Sequence, residues 1–261
     1  MLDPSAGTLL VVATYNEREN VEVLYQQVKA LGLELDLLFV DDNSPDGTGL
    51  ILDAIAREDA HVRVLHRAGK QGVGSAHLAG IRYAYAHGYR TLLTMDADLT
   101  HSPSLLPRFL DHAGDTSLVV GSRYILAGSI ADWDLLRRFI TRLGHLLTSR
   151  LLGVPYDATG ALRLYRLDQI PAAAFNAVTG RGYEFFFESL FVLCQQGVRV
   201  GEIPIPLPKR AYGHSKMTRL DVLTGLNTLL RLSVRRRARS FASREHQAST
   251  APTPTGEATP D

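Results

Sequence analysis

Asp96 and Asp98, one residue apart in the segment LLTMDADLTH, close the apolar run Thr91 to Met95. Alternate residues of an extended chain point the same way, so a strand ending here presents both carboxylates to one side. Two such oxygen donors suit Mg²⁺ or Mn²⁺; Mg²⁺ commonly takes one or two carboxylates and fills its shell with phosphate oxygens. The chemistry implied is metal-assisted handling of a diphosphate. An isolated D-x-D is short and common, and two solvated acids at a strand end are its plain alternative. What favours chemistry is the company. A second apolar run, Leu35 to Val40, delivers Asp41 and Asp42 to another strand end, followed by the turn residues Asn43-Ser44-Pro45-Asp46-Gly47 and a helix from Thr48. A third apolar run leads into the polar turn Tyr15-Asn16-Glu17.

Positioning these acids on one edge requires a particular set of elements. Strand and helix signals alternate: strand Leu9–Ala13, helix Asn20–Leu31, strand Leu35–Val40, helix Thr48–Asp59, strand Val62–His66, helix Gly74–His87, strand Thr91–Met95. Such alternation predicts an α/β fold with a mostly parallel central sheet and helices on both faces. Ligands of open α/β sheets bind at the carboxyl ends of the strands, where all three polar turns fall. Helix Ser104–Ala113, strand Ser117–Gly121, a long amphipathic helix over Ala131–Leu152, a strand over Ala161–Tyr165, helices near Pro171–Val178 and Tyr183–Gln196, and strand Val198–Pro204 complete the expected body.

In order and spacing, ATYNE, VDDNSPDGT, MDADLTH and GSRY resemble the polyprenyl-phosphate (dolichyl-phosphate) mannosyltransferases of glycosyltransferase family 2. The resemblance implies a GT-A (nucleotide-diphospho-sugar transferase) fold. It also implies inverting transfer of mannose from GDP-mannose to a polyprenyl monophosphate, with Mg²⁺ or Mn²⁺ as cofactor. Asp96 and Asp98 become the metal ligands, with Thr100 where some relatives carry a third. Ala13, Tyr15, Glu17, Asp41, Asp42, Asp46, Lys70, Ala97, Arg210 and Lys216 fall on the donor side, the last two in an R-x-x-G-x-SK loop, RAYGHSK. A lipid monophosphate arrives already anionic and calls for cationic positioning rather than a general base. Arg123 of GSRY and Arg137 match the acceptor-phosphate arginines, with Thr141 as a hydroxyl contact; together with Asp98 they form the implied catalytic set. Asp157-Ala158-Thr159-Gly160 with Arg163, and Gly182-Tyr183 with Glu188, match further family segments with donor-sugar or structural roles. A UDP-sugar donor such as UDP-glucose, and a catalytically silent nucleotide-sugar-binding protein, remain as alternatives.

The chain has 261 residues and a formal net charge of +1, which argues against a general nucleic-acid binder. One compact catalytic domain over residues 1–217 is expected, with a basic amphipathic helix over 218–242 and a disordered tail over 243–261. The helix combines Leu220, Leu223, Leu226, Leu229, Leu230 and Val234 with Arg231, Arg235, Arg236, Arg237 and Arg239, a pattern that suits an anionic membrane surface or packing on its own domain. The single cysteine, Cys194, lies in an apolar run and reads as a packed thiol. No apolar stretch is long enough to span a bilayer and the first residues lack a signal-peptide pattern, so a cytoplasmic protein, peripheral on a membrane, is expected.

Overall fold

Short runs rich in leucine and valine make the strands of a seven-stranded sheet, in the order β3-β2-β1-β4-β6-β5-β7. The strands are β1 (Thr8–Thr14), β2 (Leu35–Asp41), β3 (Val62–His66), β4 (Thr91–Asp96), β5 (Leu118–Ser122), β6 (Arg163–Arg166) and β7 (Val200–Pro204). The computed structural model describes residues 7–249 except 113, 115, 127, 131, 132, 134 and 207–217. The helices are α1 (Val21–Lys29), α2 (Thr48–Glu58), α3 (Val73–Ala86), α4 (Leu106–Asp111), α5 (Leu135–Leu147), α6 (Glu184–Gln195) and α7 (Arg219–Ser249).

The pairs β1–β2, β1–β4, β2–β3 and β5–β7 are parallel, whereas β6 runs antiparallel between β4 and β5. Register decides where the acids meet: Thr14 pairs with Asp41 and Ala13 pairs with Asp96, so both acidic strand ends flank the end of β1. Alternation along β1 divides the core, Leu9 and Val11 packing into one cluster with α3 and α6, Leu10 and Val12 into the other with α1 and α2. All four are buried, each worth roughly 1.5–3 kcal/mol relative to exposure, which makes β1 a rigid base for the turn that follows it.

Several expected boundaries move for local reasons. The segment expected as a helix from Ser104 divides into a 3-10 turn, Pro103–Leu105, and α4, because Pro107 sits in the first turn of α4 and has no amide hydrogen to bond back. The long helix expected to Leu152 passes from α5 into a π-helical turn, Thr148–Leu152, and stops at Gly153 in the left-handed conformation (φ +67°). The helix near Pro171–Val178 is a 3-10 helix, Ala172–Ala177, and β6 begins at Arg163 rather than Ala161. α7 continues to Ser249, past the boundary that composition set at 242; alanines and charged residues sustain a helix there. The apolar stripe of α5 is exposed: Leu135, Phe139, Ile140, Leu143 and Leu146 face solvent.

Candidate active site

At the carboxyl edge of β1, β2 and β4 lies a cleft of about 220 Å³. The end of β1 contributes Ala13, Thr14, Tyr15 and Glu17, and the end of β4 contributes Asp96, Ala97 and Asp98. Asp98 is buried, and its Oδ1 accepts from the Thr100 amide at 3.1 Å and the Thr100 hydroxyl at 2.6 Å. Thr100 therefore acts as the clamp that orients Asp98, and its hydroxyl hydrogen is committed there. Asp96 and Asp98 fit a divalent ion that takes two carboxylates and completes its shell from a diphosphate. Among the described residues no group of three or more His, Cys, Asp or Glu side chains surrounds such a position.

The adjoining wall is built by Asp42. Its Oδ2 accepts from the amides of Gln71 and Gly72, both at 2.9 Å, and Arg67 approaches its Oδ1 at 2.8 Å. The glycine-rich stretch before α3 is thereby folded onto β2, with Lys70, Gly72, Val73 and Ala76 lining the cleft. Glycine is required at 72: φ is +98°, and a Cβ would stand 2.5 Å from the Arg181 carbonyl oxygen. Lys70 Nζ lies 4.3 Å from the centroid of the Tyr15 ring, a cation–π contact at the cleft wall. Asp41 and Asp46 are not on that wall. Asp41 accepts from the Ser44 amide and hydroxyl, Ser44 in turn accepts from the Asn16 amide, and Asp46 accepts from the Thr48 amide and hydroxyl and the Arg18 amide. These two acids fasten the β2–α2 turn to the β1–α1 turn.

Beyond β4 stands a cationic corner. Arg123 follows β5 and is nearly buried, its Nε 2.7 Å from Asp157 Oδ2, which also accepts from the Arg123 amide at 3.1 Å. Burial works against the guanidinium charge, but the Asp157 carboxylate offsets it by charge and hydrogen bond, and the pKa of Arg123 ends above its ordinary value. Asp157 is fully buried, further fixed by Thr159 and by its own amide on Glu202. Among the described residues, the Arg123 side chain donates a hydrogen bond through Nε alone, which leaves its Nη edge for an anion. His101 is buried nearby; burial pushes it down to about 4, and neither ring nitrogen has a hydrogen-bond partner among the described residues. Tyr124 stacks on His145 and donates to the Thr141 carbonyl at 3.1 Å, which seats α5 beside Arg123. Arg137 lies on α5, four residues before Thr141; its side chain, like Arg210 and Lys216, lies outside the described residues.

Two of the family-like segments contain buried side chains that hold the loops around the cleft. Arg163 is wholly buried and donates to the carbonyls of Ala158, Gly160 and Phe186 and to Ser189 Oγ, tying the loop that carries Asp157 to α6. Glu188 holds the loop before α6, whose Gly182 and Tyr183 reach the cleft. Cleft residues beyond those expected for the donor are Thr14, Gly72, Val73, Ala76, Thr218 and Asp221. The signal for the last two is a capping pattern, Thr-x-x-Asp ahead of an apolar helix.

A mostly parallel sheet whose β1, β2 and β4 ends carry acids around one cleft is the arrangement of a GT-A-like fold. The solved structure of mannosyl-3-phosphoglycerate synthase from Rubrobacter xylanophilus superposes with a TM-score of 0.60 at 16% identity, over 98% of this chain and 79% of that one. The match to the model "Glycosyl transferase family 2" spans residues 9–170, and this chain belongs to that family. It is 39% identical over 211 residues to the undecaprenyl-phosphate mannosyltransferase of Micrococcus luteus, covering 80% of this chain and 87% of that protein. It is 37% identical to the polyprenol monophosphomannose synthase of Mycolicibacterium smegmatis, covering 82% of each.

Proposed function

We propose that this enzyme transfers mannose from GDP-mannose to a polyprenyl monophosphate, with inversion, at the membrane surface. The observation that carries the reading is the pairing, at one sheet edge, of a two-carboxylate corner with a pre-oriented arginine. Asp96 and Asp98 suit a metal-bound diphosphate; Arg123, held by Asp157, suits a second anion. Two anionic partners in one site match a nucleoside-diphosphate sugar and a phosphate nucleophile. The likeness to an undecaprenyl-phosphate mannosyltransferase and a polyprenol monophosphomannose synthase supports mannose and polyprenyl phosphate within that class.

A Mg²⁺ or Mn²⁺ ion between Asp96 and Asp98 would neutralise charge on the departing nucleoside diphosphate. The chain's own residues do the rest. Thr100 fixes Asp98, the Gln71-Gly72 turn on Asp42 shapes the donor wall, and Arg123 orients the acceptor phosphate for in-line attack, with Arg137 and Thr141 of α5 on the acceptor side. No general base is needed, because the nucleophile is already an anion.

Docking is peripheral in this reading: among the described residues no helix is long and apolar enough to cross a membrane. α7 has two faces. Thr228, Leu229, Leu232 and Ser233 are buried against the domain, while Leu220, Val222, Leu223, Leu226, Leu230 and Val234 are exposed. Both readings of the tail thus have residues to support them, but not every arginine is free for headgroups. Arg231, itself exposed, binds Glu188, and the half-buried Arg236 binds the Arg150 and Leu151 carbonyls; Arg235 and Arg237 are exposed. The exposed stripe of α5 and these arginines each offer groups, apolar and basic, that suit an anionic bilayer.

A panel of GDP- and UDP-sugars, labelled in the sugar and offered with one polyprenyl phosphate, tests the assignment. Lipid-linked label from GDP-mannose above all others is expected. Label from a UDP-sugar instead would replace the donor, and binding of nucleotide with no lipid product would remove the enzyme reading.

A further inference from the structure

The first turn of α7, expected to belong to a separate appendage, is part of the cleft wall. Thr218 and Asp221 line it and cap each other: the Thr218 amide donates to Asp221 Oδ2 at 2.6 Å and the Asp221 amide donates to Thr218 Oγ1 at 3.3 Å. Beside them stands Gly182, where a Cβ would lie 3.6 Å from Asp221 Oδ1. α7 and the loop before α6 therefore form one continuous surface of the site.

That loop is held by two acids of α6. Glu184 accepts from the amides of Arg181 and Gly182 at 2.9 and 3.0 Å. The Glu188 carboxylate, 2% exposed, accepts from the Thr179 amide at 3.1 Å, the Thr179 hydroxyl at 3.0 Å and the Gly180 amide. A donor from α7 completes the knot: Arg231 Nη2 lies 2.9 Å from Glu188 Oε1 and 3.0 Å from Thr179 Oγ1. The loop also grips the opposite wall, since the Ser75 amide donates to the Arg181 carbonyl at 2.9 Å, one turn from the Gln71 and Gly72 amides that Asp42 binds. Contacts thus run without a break from Arg231 through residues 179–182 to the glycine turn over the donor cleft.

We infer that Arg231 is a positioning residue of the donor site: it locks α7 to the 179–183 loop and so fixes the wall against which the nucleotide sugar lies. The inference rests on the reading of the cleft as the donor site. Removing Arg231 leaves Glu188 with its three loop donors, so the carboxylate stays satisfied and the fold survives; the tether between helix and loop is what goes. The effect belongs on donor affinity, not on the acceptor arginine across the cleft.

The test uses the full chain, a short-chain soluble polyprenyl phosphate and GDP-mannose. GDP affinity is read by calorimetry, with donor KM, acceptor KM and kcat from initial rates. Arg231→Ala should weaken GDP binding and raise donor KM by about fivefold or more while acceptor KM stays within about twofold, and Arg231→Lys should recover most of the loss. Arg231→Ala with wild-type GDP affinity and donor KM overturns the inference whatever its melting temperature, as does an equal rise in both KM values. Should the alanine variant not fold, Arg231→Gln against Arg231→Lys gives the same comparison: a selective rise in donor KM for the glutamine variant supports the tether, and its absence overturns it. Wild-type protein that binds neither GDP nor UDP would overturn the donor-site reading itself, a result distinct from the variants' behaviour.

Discussion

Asp98 is the residue on which charge matters most, because it is buried at the cleft and Thr100 clamps its Oδ1 through both amide and hydroxyl. Asp98→Asn should abolish metal-dependent transfer while the far-ultraviolet dichroism stays native, and Asp96→Asn should impair it less; ordinary turnover by the Asp98 variant at millimolar Mg²⁺ would remove its ligand role. On the acceptor side, Arg123→Ala should raise acceptor KM far more than it weakens GDP binding, with Arg123→Lys rescuing only in part, since the planar fork is lost. Asp157→Asn should move acceptor KM in the same direction and cost stability too, on the order of 3 kcal/mol, because a buried guanidinium is left without its counter-charge. Chemical denaturation beside the kinetics separates the two effects. Cys194 is a simpler case. Burial pushes its thiol up to about 11, so a thiol reagent at pH 8 should label it slowly in the native protein and fully only on unfolding.

Among the elements, α5 and α7 carry the exposed leucines, and their contribution is measurable with vesicles. Binding to anionic vesicles should weaken with salt, and Phe139→Asp together with Leu143→Asp should reduce co-sedimentation while leaving GDP affinity unchanged. Equal sedimentation of wild type and variant would remove the lipid-facing role of α5. The same two helices mark where sequence was a good guide and where it was not. Strands β1, β2 and β4 were legible because each apolar run ends in a polar turn, and that alone places Asp96, Asp98 and Asp42 on one edge. The antiparallel direction of β6 was not, since a short buried strand has the same composition either way. Nor was the Arg123–Asp157 pair legible as a pair: its members are 34 residues apart and meet only because β6 brings the loop of Asp157 back beside β5. The inner face of α7 was hidden for a related reason, leucines that face a protein and leucines that face a bilayer being spelled alike.

For the whole molecule, acid should weaken the fold through its buried histidines, His101 and, with the larger shift, His77. His77 is wholly buried between Phe185 and Phe186, and burial lowers its pKa to about 3. A folded-state value below the unfolded value of about 6.5 means that the unfolded chain takes up the proton first. The stability tied to neutral His77 is fully present above pH 6.5 and is lost as the pH falls from there toward 3, about 2 kcal/mol by pH 5. His77→Phe should flatten the acid limb of a stability-against-pH curve between pH 6.5 and 5 relative to wild type; parallel limbs would place the acid sensitivity elsewhere.

The placement of Thr218 and Asp221 in a cleft that begins at Ala13 also bears on how the enzyme is made. During synthesis the amino-terminal half-sheet emerges first and can fold behind the ribosome, with Asp96 and Asp98 already in place. The donor pocket nevertheless stays open on one side until residues beyond 231 have cleared the exit tunnel. An interrupted chain would carry the acidic edge without its far wall, so stalled or clipped products should hold nucleotide poorly and leave the cell's pool of activated sugar undisturbed.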